Sequence, residues 1–148
     1  MLAEIRQALA AALVARVGDV MQVSAYVLSS PTPPTITVFP ASTQYDVAMA
    51  NNFTMGAARA GTDQWSFTVR AYVAEMGDQQ AQILLDRFLE PSGGVSVKEA
   101  IEAFDYSTVA GNIDDASVTS MNGYTQYQIE GVTAPVLGAE WTVAVLAG

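Results

Sequence analysis

The sequence feature that most limits the fold is a strict alternation of apolar and polar residues between Gln64 and Ala74. Side chains of a β-strand point alternately to the two faces of a sheet, so this alternation predicts a strand with one buried face. The predicted inner face carries Trp65, Phe67, Val69, Ala71 and Val73, and the outer face carries Ser66, Thr68, Arg70 and Tyr72.

Helical spacing of apolar residues predicts a helix from Leu2 to Val17, which Gly18 ends. A second helix is expected to begin after the N-cap residue Asp78 and to run to Glu90. Both segments are amphipathic, which is typical of helices that pack on a sheet.

A third, shorter helix is predicted from Val97 to about Phe104, because Ser96 and Glu99 match a capping box. In that motif the Ser96 hydroxyl accepts the Glu99 amide, and the Glu99 side chain reaches back to the Ser96 amide. The two helices in tandem are expected to cover one face of the sheet.

Further strands are predicted on each side of these helices. Val20 to Leu28 is rich in β-branched and apolar residues, and Thr35 to Phe39 forms a short strand that Pro40 ends. Near the end of the chain, Trp141 to Leu146 alternates again. Its predicted inward residues are Trp141, Val143 and Val145.

A β-hairpin is predicted from Ala116 to Glu130, with Asn122 and Gly123 as its two-residue turn. The order of helix, strands, two helices and strands favours one α+β domain over residues 1–148. We expect a mostly antiparallel sheet with helices packed on one face.

The segment from Ala41 to Gly61 has no clean period. About twenty residues without regular structure are unusual inside a compact domain and are commonly functional. The alternative is a short strand around Tyr45 to Met49. The sequence leaves both readings open.

Composition excludes most site chemistry. The chain has no Cys and no His, so thiol nucleophiles, structural zinc and Ser-His or Cys-His catalysis are not expected. Its net charge is −9, and the six basic residues are scattered singly, which argues against binding to nucleic acid or to an anionic membrane. The longest aliphatic run, Ala8 to Ala15, is shorter than the ~20 residues of a membrane span.

No sequence motif indicates a nucleotide or metal site either. Gly56 to Thr62 has the glycine spacing of a phosphate loop but lacks its lysine, and Asn112, Asp114 and Asp115 lack the ligand spacing of a calcium loop. The segment after Glu4 lacks the basic start of a signal peptide, so we expect synthesis in the cytoplasm. We predict no catalytic, metal or cofactor residues and no cofactor.

Of the residues, 51% are hydrophobic and only 14% are charged, which is more apolar surface than one small core needs. Association with copies of itself or with other proteins would bury the surplus. A ring of such acidic subunits would present a negative lumen, which lets DNA pass without binding it.

The second half of the chain resembles the small tail-terminator proteins of long-tailed (siphovirus-type) bacteriophages. The resemblance rests on Gln79 to Leu89, Ser96 to Ala103, Val118 to Tyr127 and Glu140 to Val145. In the first half, the opening helix, the prolines Pro33 and Pro34, and Tyr45-Asp46 fit as well. These motifs are patterns of caps, helices and strands and include no catalytic signature.

The resemblance implies a homohexameric ring in the virion neck. There it would cap the tail tube, end tube polymerisation and dock the head-completion (stopper) protein. Its partners would be copies of itself, the tail tube protein and the stopper. From the residues alone, we predict Tyr45, Phe53, Met55, Arg59 and Arg70 as interface residues and Asp46, Asp114 and Asp115 as lumen-facing charges.

Two alternatives stay open. One is another neck or head-completion protein, or a tube subunit, of the same particle. The other is a small hydrolase or ligand-binding module that uses paired carboxylates. The sequence predicts that Arg70 is either solvated or paired with an acid of a neighbouring subunit.

Overall fold

A computed structural model of the chain describes residues 2–28, 31–44, 63–75, 78–108, 113–129 and 134–147. In these ranges, three helices and five strands are present, with a 3-10 turn at Tyr106–Thr108. The helices are α1 (Leu2–Val17), α2 (Gln79–Leu89) and α3 (Val97–Glu102). The strands are β1 (Gln22–Ser24), β2 (Thr35–Gln44), β3 (Asp63–Glu75), β4 (Ile113–Tyr127) and β5 (Val136–Ala147).

The strands of the described residues form one mixed sheet in the order β1-β2-β3-β5-β4. The pairing of β1 with β2 is parallel, and the three other pairings are antiparallel. This confirms the predicted α+β class with a mostly antiparallel sheet.

The core lies on one face of this sheet. In β3, Phe67 and Val69 pair with Val143 and Trp141 of β5, and all four side chains are buried. They belong to one apolar cluster with buried residues of all three helices, so the helices lie on this face. The alternation in β3 and β5 therefore predicted the inner face correctly.

The opposite face of the sheet carries a smaller apolar cluster. It consists of Tyr72, Ile129 and Val136, with Tyr127 packed against them. The rings of Tyr72 and Tyr127 meet edge to face, with 5.2 Å between their centroids. No helix of the described residues contributes to this cluster.

Two strand predictions near the β1 edge are wrong in extent. Only Gln22–Ser24 of the predicted strand from Val20 to Leu28 pairs with β2. Pro40 does not end β2 but lies within it, beside a register shift between Pro40 and Ser42. In the described part of the chain, β1 pairs only with the first three residues of β2. No described strand lies beside Pro40 on that side, so its missing N–H is tolerated.

The predicted hairpin is wrong. Residues 113–127 form one continuous strand that pairs with β5 on both sides of Asn122 and Gly123. The register shifts between Asn122 and Thr125, and the residue with positive φ there is Tyr124, at 52°. The turn signal thus marks a bulge in an edge strand instead of a chain reversal.

The helix caps are largely as predicted. Asp78 accepts the amides of Gln80 and Ala81 at 2.9 and 3.2 Å, and the Ser96 hydroxyl accepts the Glu99 amide at 3.2 Å. The expected return contact of the capping box is wrong, since the Glu99 carboxylate accepts the Gly93 amide at 2.7 Å.

Candidate assembly surfaces

One end of the sheet gathers acidic residues. Gln44, Gln64, Leu146 and Asp115 lie in one row across β2, β3, β5 and β4. Asp63 and Asp114 lie at the same end of the sheet, and Asp114 and Asp115 are exposed. We call this region the acidic end of the sheet. β2 ends at Gln44 and β3 begins at Asp63, both at this end of the sheet.

Most predicted interface residues fall in the segment 45–62 between these two strands. Tyr45, Asp46, Phe53, Met55 and Arg59 lie outside the described residues, as do the alternative strand around Tyr45 to Met49 and the phosphate-loop-like segment. The structure does fix the two points between which they lie, because Gln44 and Gln64 are cross-strand partners. In the sequence, Asp46 follows Gln44, the last residue of β2, by two positions.

A shallow cavity of about 310 Å³ opens beside Asp114 and Asp115. It is also lined by Glu102, Asp105 and Tyr106. The Ser107 hydroxyl and amide donate to Asp105 at 2.6 and 3.1 Å, and they lower the pKa of that carboxyl. Among the described residues, no group of three potential ligands is arranged for a metal ion. The carboxylates give this surface a negative potential, which repels phosphates.

Tyr106 forms the inner wall of this cavity. Its hydroxyl is buried and donates to the Ile101 carbonyl at 2.6 Å, at the end of α3. Burial raises the pKa of Tyr106, and the negative charge of Asp115 raises it further. The hydrogen bond to Ile101 ties the 3-10 turn at Tyr106–Thr108 to the end of α3.

Arg70 lies on the face of the sheet opposite the helices, as predicted, but its partner is in the same chain. Its Nε donates to Oε1 of Glu140 at 2.7 Å, and Nη1 lies 3.3 Å from the Tyr72 hydroxyl. Its guanidinium carbon lies 4.8 Å from the ring centroid of Phe39 and 4.7 Å from that of Tyr127. The expectation of a solvated Arg70, or of an acid from a neighbouring subunit, is therefore corrected.

The Tyr127 ring completes this cluster because a glycine lies beneath it. A Cβ on Gly138 would lie 2.8 Å from Cε2 of Tyr127 and 2.0 Å from the carbonyl oxygen of Ala71. Burial raises the pKa of the Tyr127 hydroxyl, and the nearby Glu140 carboxylate adds to this rise.

Arg70 lies far from the acidic end of the sheet. Arg70 is seven positions along β3 from Asp63, which corresponds to about 23 Å at the rise of an extended strand. The structure therefore does not bring Arg70 together with Asp114 and Asp115.

Sequence reasoning missed exposed apolar side chains at both edges of the sheet. At the β1 edge, Tyr26, Val27 and Leu28 are 45%, 52% and 40% exposed. Close to the β4 edge, Met121 and Tyr124 are 46% and 47% exposed. We call these two groups the β1 patch and the β4 patch. The uncharged apolar run at residues 25–28 can be seen in the sequence. Whether these side chains are exposed, however, depends on which strand lies at the edge of the sheet, and the sequence does not show this.

On α2, the side chain of Ile83 is also apolar and is 46% exposed. The Tyr124 hydroxyl donates to the Asp86 carboxylate and lies 3.4 Å from the Gln82 carbonyl, both on α2. These contacts tie the bulge of β4 to the turn of α2 that carries Ile83.

In the described part of the chain, the longest helix is α1, and no helix combines the length and apolarity needed to cross a bilayer. A scan against protein-family models finds no match to this chain, and a search of curated proteins finds none either.

Proposed function

We propose that this chain is a structural protein of the virion neck of a long-tailed bacteriophage. It forms a hexameric ring that caps the tail tube, ends tube polymerisation and docks the head-completion protein. The observation that carries this proposal is the exposure of large apolar side chains at both edges of one sheet, in the β1 patch and the β4 patch. Grouped apolar side chains on a surface are typical of protein contacts.

The acidic end of the sheet supports the proposed lumen. Asp114 and Asp115 are exposed beside Glu102 and Asp105, and the whole chain carries a net charge of −9. A lumen lined by such carboxylates repels the phosphates of DNA, so DNA passes without specific binding. Asp46, two residues beyond the end of β2, adds to the same charge in this proposal.

The protein acts in this proposal by binding alone, and no covalent bond is made or broken. Its partners are copies of itself, the tail tube protein and the stopper protein. The resemblance in α2, α3, β4 and β5 supports the choice of a tail terminator over other neck proteins.

Cryo-electron microscopy of the neck of particles that contain this chain tests the proposal. We expect ring density at the head-proximal end of the tube. Without the chain, we expect tubes of uncontrolled length that do not join heads. Density along the tube would contradict the proposal in favour of a tube subunit, and density only at the head portal would favour a head-completion protein.

A second measurement separates assembly from enzymatic function. Alanine substitution of Asp114 and Asp115 is expected to leave rings intact. Loss of turnover of a small molecule in these variants, with assembly unchanged, would contradict a purely structural role.

A further inference from the structure

Apart from its register shifts, β4 is a long edge strand with little protection against pairing. In the described part of the chain, no strand lies along its outer side. From Ala116 to Ile129, the chain contains neither a charged residue nor a proline. Edge strands of monomeric proteins usually carry such residues, since they prevent pairing with other chains.

In the ranges that the structure describes, a side chain of α3 closes this edge at Val118. The Glu102 carboxylate of α3 accepts the Val118 amide at 2.9 Å, and Lys98 lies 2.5 Å from the same side chain. Partial burial acts to raise the pKa of Glu102, but the hydrogen bonds from Lys98 and from the Val118 amide outweigh it and lower the pKa. The ionised carboxylate therefore occupies the edge at Val118. The section from Thr119 to Tyr127 extends beyond it and carries the β4 patch.

Among the described residues, the opposite edge of the sheet is also incompletely paired. β1 covers only Thr35, Ile36 and Thr37 of the ten-residue β2. Arg6 of α1 donates to the carbonyl of Val38, the first residue beyond this pairing, at 3.3 Å. Its guanidinium carbon also lies 4.7 Å from the ring centroid of Tyr26. The β1 patch thus carries a positive charge next to its apolar side chains.

The two patches are complementary in charge. Arg6 lies against Tyr26 in the β1 patch, and Asp86 accepts a hydrogen bond from Tyr124 in the β4 patch. Two copies that met through the same patch would bring like charges together. Contact between unlike patches brings opposite charges together, and such contacts favour the correct partner.

Strand direction fits contact between unlike edges. β1 and β2 run in the same direction, and three antiparallel steps through β3 and β5 make β4 run in the opposite direction. A second copy placed beside the first in the same orientation therefore presents its β1 edge antiparallel to β4. Such head-to-tail contacts between copies generate closed rings when the rotation closes.

We propose that the Thr119–Tyr127 edge of β4 pairs with β1 of a second copy while the β4 patch packs on the neighbour's β1 patch, so that one sheet continues from subunit to subunit. This inference rests on the proposed ring and specifies which surfaces form it. The backbone of β4 supplies hydrogen bonds, and Met121 and Tyr124 are buried against Val27 and Leu28 of the neighbour.

Cross-linking tests the proposal directly, because the chain has no cysteine of its own. A double variant with Val27→Cys and Met121→Cys is treated with a short flexible bismaleimide, both free in concentrated solution and bound to tail tubes. Both positions are exposed, so the substitutions leave the core intact. We expect a ladder of products in steps of 15.6 kDa. Each single variant alone is expected to stay monomeric on a denaturing gel.

A matched control places the first cysteine at Val14, which is 54% exposed on α1 and belongs to neither patch. The pair of Val14→Cys and Met121→Cys is expected to give no ladder. An equally strong ladder from this control would show random collisions and overturn the proposal. A dimer from Met121→Cys alone would indicate pairing of β4 with β4 and would overturn it as well.

The outcome also separates this inference from the function on which it rests. If rings are seen on tail tubes but the Val27 and Met121 pair gives no cross-link there, the edge contact is wrong and the ring proposal stands. If neither rings nor cross-links form on tubes, both are wrong.

Discussion

Glu140 lies directly opposite Arg70 on the neighbouring strand, and its carboxylate is 2.5 Å from Nη2 of the arginine. Phe39 and Tyr127 flank the same guanidinium. The charge of Arg70 is therefore balanced inside the chain. At a subunit interface, Arg70 would contribute an aromatic-flanked surface instead of an unmatched positive charge.

Arg70→Met is expected to lower the free energy of unfolding by about 1 to 2 kcal/mol. Methionine keeps part of the contact area, but the ion pair with Glu140 and the contacts with both rings are lost. Urea unfolding monitored by tryptophan fluorescence measures this change. As a control, Lys98→Met breaks a more exposed ion pair with Glu102, and we expect a loss of about 0.5 kcal/mol. Equal losses in the two variants would contradict the structural role assigned to the Arg70 cluster.

Gly138→Ala is expected to lower the free energy of unfolding by at least about 2 kcal/mol. The added Cβ would lie 2.0 Å from a backbone oxygen of Ala71, which side-chain movement cannot relieve. Gly94→Ala is the matched control, since nothing lies within 4 Å of its added Cβ. We expect a change within about 0.5 kcal/mol there. A tolerated Gly138→Ala would mean that the Ala71 carbonyl of β3 does not approach Gly138 as closely as described.

Asp78→Ala is expected to destabilise the protein by about 1 kcal/mol, because two amides at the start of α2 lose their acceptor. Asp78→Asn keeps an accepting oxygen and should retain most of that stability. Thermal unfolding followed by circular dichroism compares the three proteins. If the asparagine variant were as unstable as the alanine variant, charge and not capping would explain the effect.

The Glu99 carboxylate predicts a dependence of stability on pH. The hydrogen bond from the Gly93 amide lowers the pKa of Glu99 below its ordinary value of 4.5, and the positive charge of Arg16 lowers it further. A lowered pKa in the folded state stabilises the protein above the unfolded value, and this contribution is lost as the pH falls through the folded value. Glu99→Gln removes it. We therefore expect the wild type to be more stable than the variant at neutral pH.

Urea midpoints measured between about pH 7 and pH 3 check this sign. The difference between the two proteins is expected to shrink as the pH falls below about 4.5. A difference that stays constant over this range would mean that lost packing, and not the charge of Glu99, separates the two proteins.

The parts of the fold that sequence predicts best are those set by local chemistry. Asp78 and Ser96 cap helices through amides two or three residues away, so their role is visible in a short window. The alternation around Phe67 and Trp141 likewise identifies the buried face, because every second residue must be apolar whichever strand lies alongside.

The sequence-based predictions are wrong where pairing with a strand distant in the sequence determines the local structure. Asn122 and Gly123 suit a tight turn, but the twelve residues of β5 pair with β4 on both sides of them. Pro40 is compatible with β2 only because β1 is too short to reach it. Arg70 finds Glu140 seventy residues away in the sequence. For the same reason, the two patches could not be located before the order of the strands was known.

The pairing of Gln44 with Gln64 has a consequence for how this chain can vary. The polypeptide departs from the sheet and returns to it at adjacent points, so the length of residues 45–62 does not set the register of β2 and β3. Insertions, deletions or an inserted peptide tag in that stretch are compatible with an unchanged scaffold, because closure entropy grows only slowly with length.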